Sequence, residues 1–577
     1  MATRIAEEMG ETGVGGRVGY SIRFEDMTDI KTQLKLVTDG LLVREMMNDP
    51  LLRRYSVIIV DEAHERSVQT DLLLGLLKKV RRRRAALNKQ GDKVAVLKLV
   101  VMSATIDAGE FARFFSEREC TVQIMSVHGR QHPVDIFYRA TPVSSYIDSA
   151  VQTAADIHRL ENSGDILIFL TGQNEIERAV EMLKETCENN SEKSVLILPL
   201  YSGLTHERQL AVFEPAGRSV RKIIVSTNLA ETSVTIEGVV YVIDCGFVKV
   251  KTFDSRSNTE KLVVAPISKA SATQRAGRAG RVRRGACYRL FTEESFSKLS
   301  EKSAPEMERC NVSSVVLQLK ALGVDNVAQF ELLDAPPEEA LARALELLFS
   351  LNAIDAEGRM TVPLGMQLAE LPSDPCMSSM LLAGLKNGCS KEMVTVAAML
   401  SIPNVFHSFK GSKSVADKSR ALFFVLEGDH LTLLNVYNSF VKNKKSKKWC
   451  KQFHLSHRML STASKLRRQF VAHLKKYGDA TSSKQDTLPI LKSLVSGYFA
   501  NAAALTRDGV TYETLRGGHQ VFLHPNSVYS KCSTFPKFVL FHEIVHTTKP
   551  FMREVTEVNP DWLVELAPHF YQHQHVK

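Results

Sequence analysis

The sequence has no C-x-x-C pair: nine cysteines are scattered through 577 residues without regular spacing. That argues against a zinc ribbon and for reduced thiols in an intracellular compartment. No apolar run approaches the ~18 to 20 residues needed to cross a bilayer, so no membrane partner is expected. The opening residues, MATRIAEEMG, carry acids where a secretory leader needs an apolar core. No internal repeat of fixed period is present. What remains is a composition of 44% hydrophobic and 24% charged residues, that of an ordinary soluble globular protein. The length suggests roughly three to five domains. A net charge of +10 and a pI near 9.0 favour a polyanionic partner without proving one.

The first third alternates short buried apolar runs with helical patterns. YSVIIVDEAHE is followed by TDLLLGLLKKV, and VLKLVVMSAT by DAGEFARFF. A second block starts near Val134, with DILIFLTGQNEIERAVEML, SVLILPLYSGL, RKIIVSTN and VVYVIDCG. Strands alternating with helices predict parallel sheets covered on both faces, here in two α/β domains. Beyond about Glu308 helical patterns dominate. From about Gly497 short β runs (VTYETL, HQVFLHP, KFVLFHEIVH) suggest a small barrel. Two basic clusters, Lys78 to Arg84 at the end of a predicted helix and Lys442 to Lys448 between two helices, read as solvated surface.

Chemistry enters with DEAH. Asp61 and Glu62 follow the strand VIIV and so stand at the carboxyl end of a parallel strand, where open α/β sheets bind ligands. One carboxylate there can hold Mg²⁺ through its water shell, and its neighbour can orient or deprotonate an attacking water. Ser103 and Thr105 of SAT end the next strand, and this hydroxyl pair could link a phosphate site to the other domain. In QRAGRAGR, Arg278 and Arg281 stand three apart among glycines that let the backbone approach. They suit arginine fingers that neutralise transition-state charge.

TDGLLVRE, DEAHERS, SAT, FLTGQNEIE, STNLAETSVTIEG and QRAGRAGR, in this order, resemble the DEAH-box RNA helicases of superfamily 2. The resemblance continues through CYRLFTEE, PEMERCN, PLGMQLAELPSDP, EGDHLTLLNVY, GYFANAA and FMREVTE, and covers nearly the whole chain. It implies an α/β fold of two RecA-like domains, the first incomplete (1–130 and 131–308). A winged helix (309–375), a ratchet-like helical bundle (376–490) and an OB-fold (491–577) would follow. ELAPHFYQ and LKALGVDNV look most like the spliceosome-associated subgroup. That implies splicing, the nucleus, and spliceosomal or helicase-activating proteins as partners beside RNA.

By resemblance, ATP and Mg²⁺ are the cofactors. Asp61 and Glu62 serve Mg²⁺ and the lytic water, and His64 couples hydrolysis to the second domain. Ser103 and Thr105 link the ATP and RNA sites. Gln274 and Ser233 sense the γ-phosphate and water, while Arg278 and Arg281 act as fingers. Arg4 and Phe213 stack on the two faces of adenine. Thr38, Asp39 and Thr227 touch the RNA backbone. VKVKTFDSRSNTEKLVV reads as two strands around a polar turn, which in the family lies against RNA and helps part strands.

Two motifs mislead. HEIVH (His542 to His546) matches a zinc-protease pattern, but its β-branched and aromatic surroundings predict a strand. On a strand the two imidazoles stand ~13 Å apart, too far for one zinc. GETGVGGR, from Gly10 to Arg17, resembles a phosphate loop, yet Gly16 and Arg17 stand where lysine and Ser or Thr belong. It follows a helix rather than a buried strand. In the family this stretch lies downstream of the phosphate loop. The expectation is therefore a truncated helicase lacking that loop, with a non-hydrolysing RNA-binding scaffold as the alternative.

Overall fold

A computed structural model of the chain describes residues 1–22, 25–104, 108–117, 121–127, 129, 132–188, 194–204, 206–217, 220–232, 236–254, 259–406, 418–484, 486–546 and 549–571. The chain divides into two compact units. One comprises Met1–Glu117, Phe253–Lys261 and Pro305–Lys577; the other comprises Arg118–Thr252 and Leu262–Ala304.

The first unit begins with helix α1 (Ala2–Glu8) and strands β1 (Val18–Ile22), β2 (Glu25–Met27) and β3 (Leu34–Val37). β1 runs antiparallel to β2 and parallel to β3. Residues 10–17 are bends and turns joining α1 to β1, with Gly10 and Gly15 at positive φ (74° and 102°). GETGVGGR is a turn after a helix, as its context predicts. Helix α2 (Asp39–Asn48), strand β4 (Val57–Val60), helix α3 (Val68–Lys89), strand β5 (Lys98–Val101) and helix α4 (Ala108–Phe115) follow. β4 and β5 pair in parallel from Val57↔Lys98 to Val60↔Val101, with α3 as the crossover that parallel strands require.

α3 starts where Ser67 caps it, its side chain accepting from the Thr70 N–H at 3.1 Å. It buries Leu72, Leu73, Leu74, Leu76 and Leu77. The basic run Lys78–Arg84 does not end this helix, which continues to Lys89, and only part of it is solvated surface. Lys78 and Arg84 are 8% and 1% exposed. Arg84 donates to the carbonyls of Ala95 (2.7 Å), Leu52 (3.1 Å) and Tyr55 (2.9 Å). Lys78 and Arg82 both bind the Glu331 carboxylate, and Arg81 and Arg82 bind Glu117. Side chains that composition assigns to water are the mortar between α3, α4 and the segment before Asp334. The second basic cluster, Lys442 to Lys448, is largely exposed, as expected of solvated surface.

In the second unit six strands form one all-parallel sheet. In chain order they are β6 (Val134–Tyr138), β7 (Asp165–Phe169), β8 (Ser194–Leu200), β9 (Val220–Ser226), β10 (Val239–Asp244) and, after the hairpin below, β13 (Gly285–Arg289). Their spatial order is β6-β13-β10-β7-β9-β8. Near-continuous apolar strands reflect burial on both faces. Ile166 and Ile168 join a cluster with Ala150, Ile157, Ile176 and Leu183 of helices α5 (Tyr146–Leu160) and α6 (Gln173–Glu188). Leu167 and Phe169 face the opposite way, toward Ala276 and Ala279. Helix α7 (His206–Leu210) precedes β9. β11 (Phe247–Asp254) and β12 (Thr259–Pro266) are the two strands expected around the polar turn, whose residues 255–258 lie outside the described residues. Helix α8 (Lys269–Gly277) leads to β13.

From Pro305 the first unit resumes in helices, among them Ser313–Ala321, Glu338–Ser350, Pro375–Lys386, Ser390–Leu400, Asp429–Lys442, His457–Leu474 and Leu488–Tyr498. The last five share an apolar core that includes Met380, Val396, Val436, Phe440, Leu460 and Leu494. Strands β14 (Ala502–Leu505), β15 (Tyr512–Thr514), β16 (Gln520–Leu523), β17 (Phe538–His546) and β18 (Pro550–Glu557) then close a barrel. Its pairs are β14–β15, β15–β16, β16–β18, β18–β17 and β17–β14. Within the first unit Glu260 and Lys261 of β12 add to it, pairing in parallel with Val545 and His546. HEIVH lies in β17, a strand. Among the described residues no helix is long and apolar enough to cross a membrane.

Candidate nucleotide and RNA site

Asp61 and Glu62 follow β4 at its carboxyl end. The ladder continues past them, with the Met102 N–H on the Val60 carbonyl (2.8 Å) and the Ala63 N–H on the Met102 carbonyl (3.0 Å). Asp61 is exposed, and its Oδ1 accepts the Glu62 N–H at 2.9 Å. Glu62 adopts left-handed backbone (φ 50°, ψ 34°), as does Arg66 (φ 51°, ψ 45°), on either side of a single 3₁₀ turn. A non-glycine residue held there costs about 1 kcal/mol or more, so the surrounding contacts must impose it. His64 is nearly buried. Its Nδ1 accepts the Ala104 N–H at 3.3 Å, which leaves Nε2 as the protonated nitrogen, 3.4 Å from Glu62 Oε2. That contact does not reach hydrogen-bond geometry. The backbone of SAT, His64 and Glu62 therefore stand in one chain. Ser103 lies beside Ala104, half-buried; Thr105 is outside the described residues.

Thr38 precedes α2 as its N-cap without a side-chain cap and is exposed. Asp39 accepts a hydrogen bond from the Thr70 hydroxyl, which ties the start of α2 to the first turn of α3. Arg4 projects from α1, exposed and in a surface pair with Glu8 at 3.0 Å, which leaves it available to a ligand.

Sequence reasoning passed over Arg66. Its guanidinium forks onto Asp71 (2.8 and 3.0 Å), reaches Asp334, and lies 3.7 Å from Glu110. Its carbonyl accepts from the Glu306 N–H, and the Glu306 carboxylate accepts from the Val68 N–H. Burial raises the Asp71 carboxyl above its ordinary value, with Arg66 opposing. One residue thus anchors the DEAH turn to PEMERCN and to the segment carrying Asp334.

In the second unit α8 carries the QRAGRAGR residues. Ser268 caps it, accepting from the Ser271 N–H at 3.1 Å. Gln274 is half-buried, and its amide makes no side-chain hydrogen bond among the described residues. Arg275, 1% exposed, pairs with Glu231 (2.9 Å) and Asp244 (2.8 Å) and lies over the Phe169 ring. Arg278 donates to the carbonyls of Glu231 and Thr232. Arg281 is half-buried one residue beyond Gly280. Ser233, next to Thr232, is outside the described residues. Thr227 follows β9 and accepts the Leu229 N–H at 3.4 Å, capping a 3₁₀ turn.

Phe213 is 40% exposed on a loop that Lys222 holds from beneath. The buried Lys222 ammonium donates to the carbonyls of Val212 (2.8 Å) and Glu214 (3.0 Å), the residues flanking Phe213. Lys222 was legible only as a charge beside the apolar run of RKIIV. That pattern signals a buried ion with fixed partners.

Thus Asp61, Glu62, His64, Ser103, Thr38 and Asp39 gather in the first unit, at the carboxyl end of β4 and the starts of α2 and α3. Gln274, Arg278, Arg281, Thr227 and Phe213 belong to the second.

Residues 149–283 match the helicase conserved C-terminal domain. Residues 344–372 match the winged-helix part and 374–433 the ratchet-like part of the helicase-associated domain. Residues 490–571 match an oligonucleotide/oligosaccharide-binding fold. Over 99% of its length the chain is 48% identical to a protein of Pongo abelii named probable ATP-dependent RNA helicase DHX35, covering 79% of that relative. It is equally similar to the Homo sapiens protein of the same name, covering 81% of it. The chain belongs to the DEAH-box RNA helicases. A DEAH-box helicase is an ATP-dependent enzyme acting on RNA, and the matched OB-fold is the barrel formed by β14 to β18.

Proposed function

We propose that the helicase works in pre-mRNA splicing in the nucleus, coupling RNA-stimulated ATP hydrolysis to movement along RNA, with a protein activator among its partners. Asp61 and Glu62 carry the reaction. Asp61, exposed at the strand end, fits a hydrated Mg²⁺, which would neutralise phosphate charge when bound. Glu62 orients and deprotonates the attacking water. Gln274, Arg278, Arg281 and Ser233 read the γ-phosphate, and Arg4 and Phe213 sandwich the adenine. Thr38, Asp39 and Thr227 hold the RNA backbone, and Ser103 and Thr105 pass the state of one site to the other. The observation that supports this reading is the Ala104 N–H on His64 Nδ1, with His64 Nε2 directed at Glu62 3.4 Å away, an arrangement suited to coupling the two strand ends.

One face of the first sheet is open. Val57, Ile59 and Val100 leave 45%, 58% and 44% of their surface in water, on strands of a parallel pair that such folds bury on both faces. We infer that in the working enzyme this face is covered by a segment bearing G-x-x-x-x-G-K-[ST] and the helix that follows it. The test compares ATP turnover of this chain with a version extended to carry that loop. The extended form should hydrolyse ATP in response to RNA and lose turnover on Glu62→Gln, while the 577-residue chain stays near background. RNA-stimulated, Glu62-dependent turnover by the 577-residue chain would refute the need for that loop. No turnover from either would favour the scaffold reading.

A further inference from the structure

The basic run on α3 is split by the fold. Lys78, Arg81, Arg82 and Arg84 turn inward or into ion pairs, as described above. Lys79 and Arg83 do not: both are exposed, and with Arg53 they rim a basin of about 900 Å³ between the end of α2, α3 and Leu322. Its floor is aliphatic, formed by Met46, Leu51, Leu76, Val80 and Leu322. Among the described residues none of these three rim cations has an ion-pair partner, and the one acid at the rim is Asp49.

The lining decides between the two polyanions such a rim could take. Single-stranded RNA is gripped by aromatic faces on which bases stack, together with a cationic track. No aromatic or histidine side chain lines this basin. An aliphatic floor instead suits leucine-like anchors, and its volume falls in the upper part of the range of binding pockets. Lys79 and Arg83 stand four apart on one face of α3, so a helix laid beside α3 can meet both with acids at the same spacing.

We propose that this basin is a docking site for an acidic amphipathic helix of a partner protein, its aliphatic face on the floor and its carboxylates against Arg53, Lys79 and Arg83. The site does not depend on the nucleotide chemistry of the previous section. Rim charges set encounter rate and partner choice, and the apolar anchors hold the complex.

The test uses the full chain and a labelled peptide of about 14 residues, with leucines at i, i+3, i+4 and i+7 and glutamates flanking them. Fluorescence anisotropy should report saturable binding, weakened about tenfold or more by Lys79→Glu with Arg83→Glu, and again by Arg53→Glu alone. Replacing the leucines by serine should weaken it as much. A peptide with lysine for glutamate should bind the doubly reversed variant better than the parent chain. All three substituted residues are exposed, so thermal melting should be unchanged, and the lysine-peptide gain guards against a misfolded variant. Binding indifferent to the charge reversals, or displacement of the peptide by single-stranded oligouridine, would overturn the proposal; the latter would make the basin an RNA site.

Discussion

The Ala104 N–H donates to His64 Nδ1 across 3.3 Å, so the motif that ends β5 is hydrogen-bonded to the motif that ends β4. His64 turns its other nitrogen toward Glu62, 3.4 Å away, and the role proposed for it is that of a relay rather than a base. Replacing it with alanine leaves Glu62 and Asp61 in place but removes the acceptor for Ala104. In a form carrying the phosphate loop, His64→Ala should retain most RNA-stimulated ATP turnover. Base pairs separated per ATP should fall about tenfold, roughly 1.4 kcal/mol of lost coupling. Parallel measurement of phosphate release and duplex unwinding checks this. Equal loss of both would show His64 to be part of the hydrolytic step itself.

Glu62 sits at φ 50° and ψ 34°, a conformation that glycine adopts without strain. Its contact with His64 is long and partly exposed, so losing it costs little. Glu62→Gly should therefore raise the unfolding free energy by about 0.5 to 1 kcal/mol while abolishing turnover in the loop-bearing form. Glu62→Gln, which keeps the strained backbone, should abolish turnover without that gain. Urea unfolding of the two variants separates the effects, and equal stability would show that the backbone there is relaxed.

Glu331 receives Arg82 through both guanidinium nitrogens at 2.9 Å and Lys78 at 2.7 Å, which hold its carboxyl down at about 2. The folded value lies below the ordinary 4.5, so the stabilisation is complete above about pH 4.5 and is lost as pH falls toward 2. The carboxylate is half exposed, and solvent screening limits the effect to about 1 kcal/mol. Glu331→Gln should be less stable than the parent chain by that amount at pH 7. The two should converge as pH drops from about 4.5 to 2. Chemical denaturation at several pH values reads the convergence; a constant gap across that window would mean that the charge plays no part.

The architecture was legible because its signals are local. Apolar runs ending in acids became β4 and the parallel strands of the second unit, and β-rich surroundings placed HEIVH in β17 against a misleading motif. DEAH and QRAGRAGR were legible for the same reason, each occupying a strand end or helix edge fixed by its neighbours in sequence. Partners distant in sequence were not. Nothing near Arg84 announces that it will satisfy the carbonyls of Leu52, Tyr55 and Ala95, and nothing near Arg66 points to Asp334, 268 residues away. A cation inside a helix pattern reads as solvated until the fold brings an acid or a row of carbonyls to it. Lys78 through Arg84 was misjudged on that ground, and Lys222 beneath Phe213 was missed on it.

The two glycines of RAGRAGR read alike in sequence and differ in the fold. A Cβ on Gly280 would stand 2.5 Å from the His132 carbonyl oxygen and 2.8 Å from Val134, at a point where the His132 N–H donates to the Gly280 carbonyl at 2.8 Å. Gly280 is there so that the chain entering β6 can pass, not to admit a phosphate. Gly277, the last residue of α8, has nothing within 4 Å of its added Cβ and no positive φ. Gly280→Ala should cost about 1 to 3 kcal/mol of stability, through the clash and the disturbed pairing. Gly277→Ala should be neutral or stabilising by up to about 1 kcal/mol, as alanine favours helix. If Gly277 is kept small for a ligand, its alanine variant in the loop-bearing form will lose ATP turnover while melting no lower than the parent chain. Thermal melts and turnover on both variants decide it, and a Gly280→Ala chain as stable as the parent would contradict the packing argued for β6.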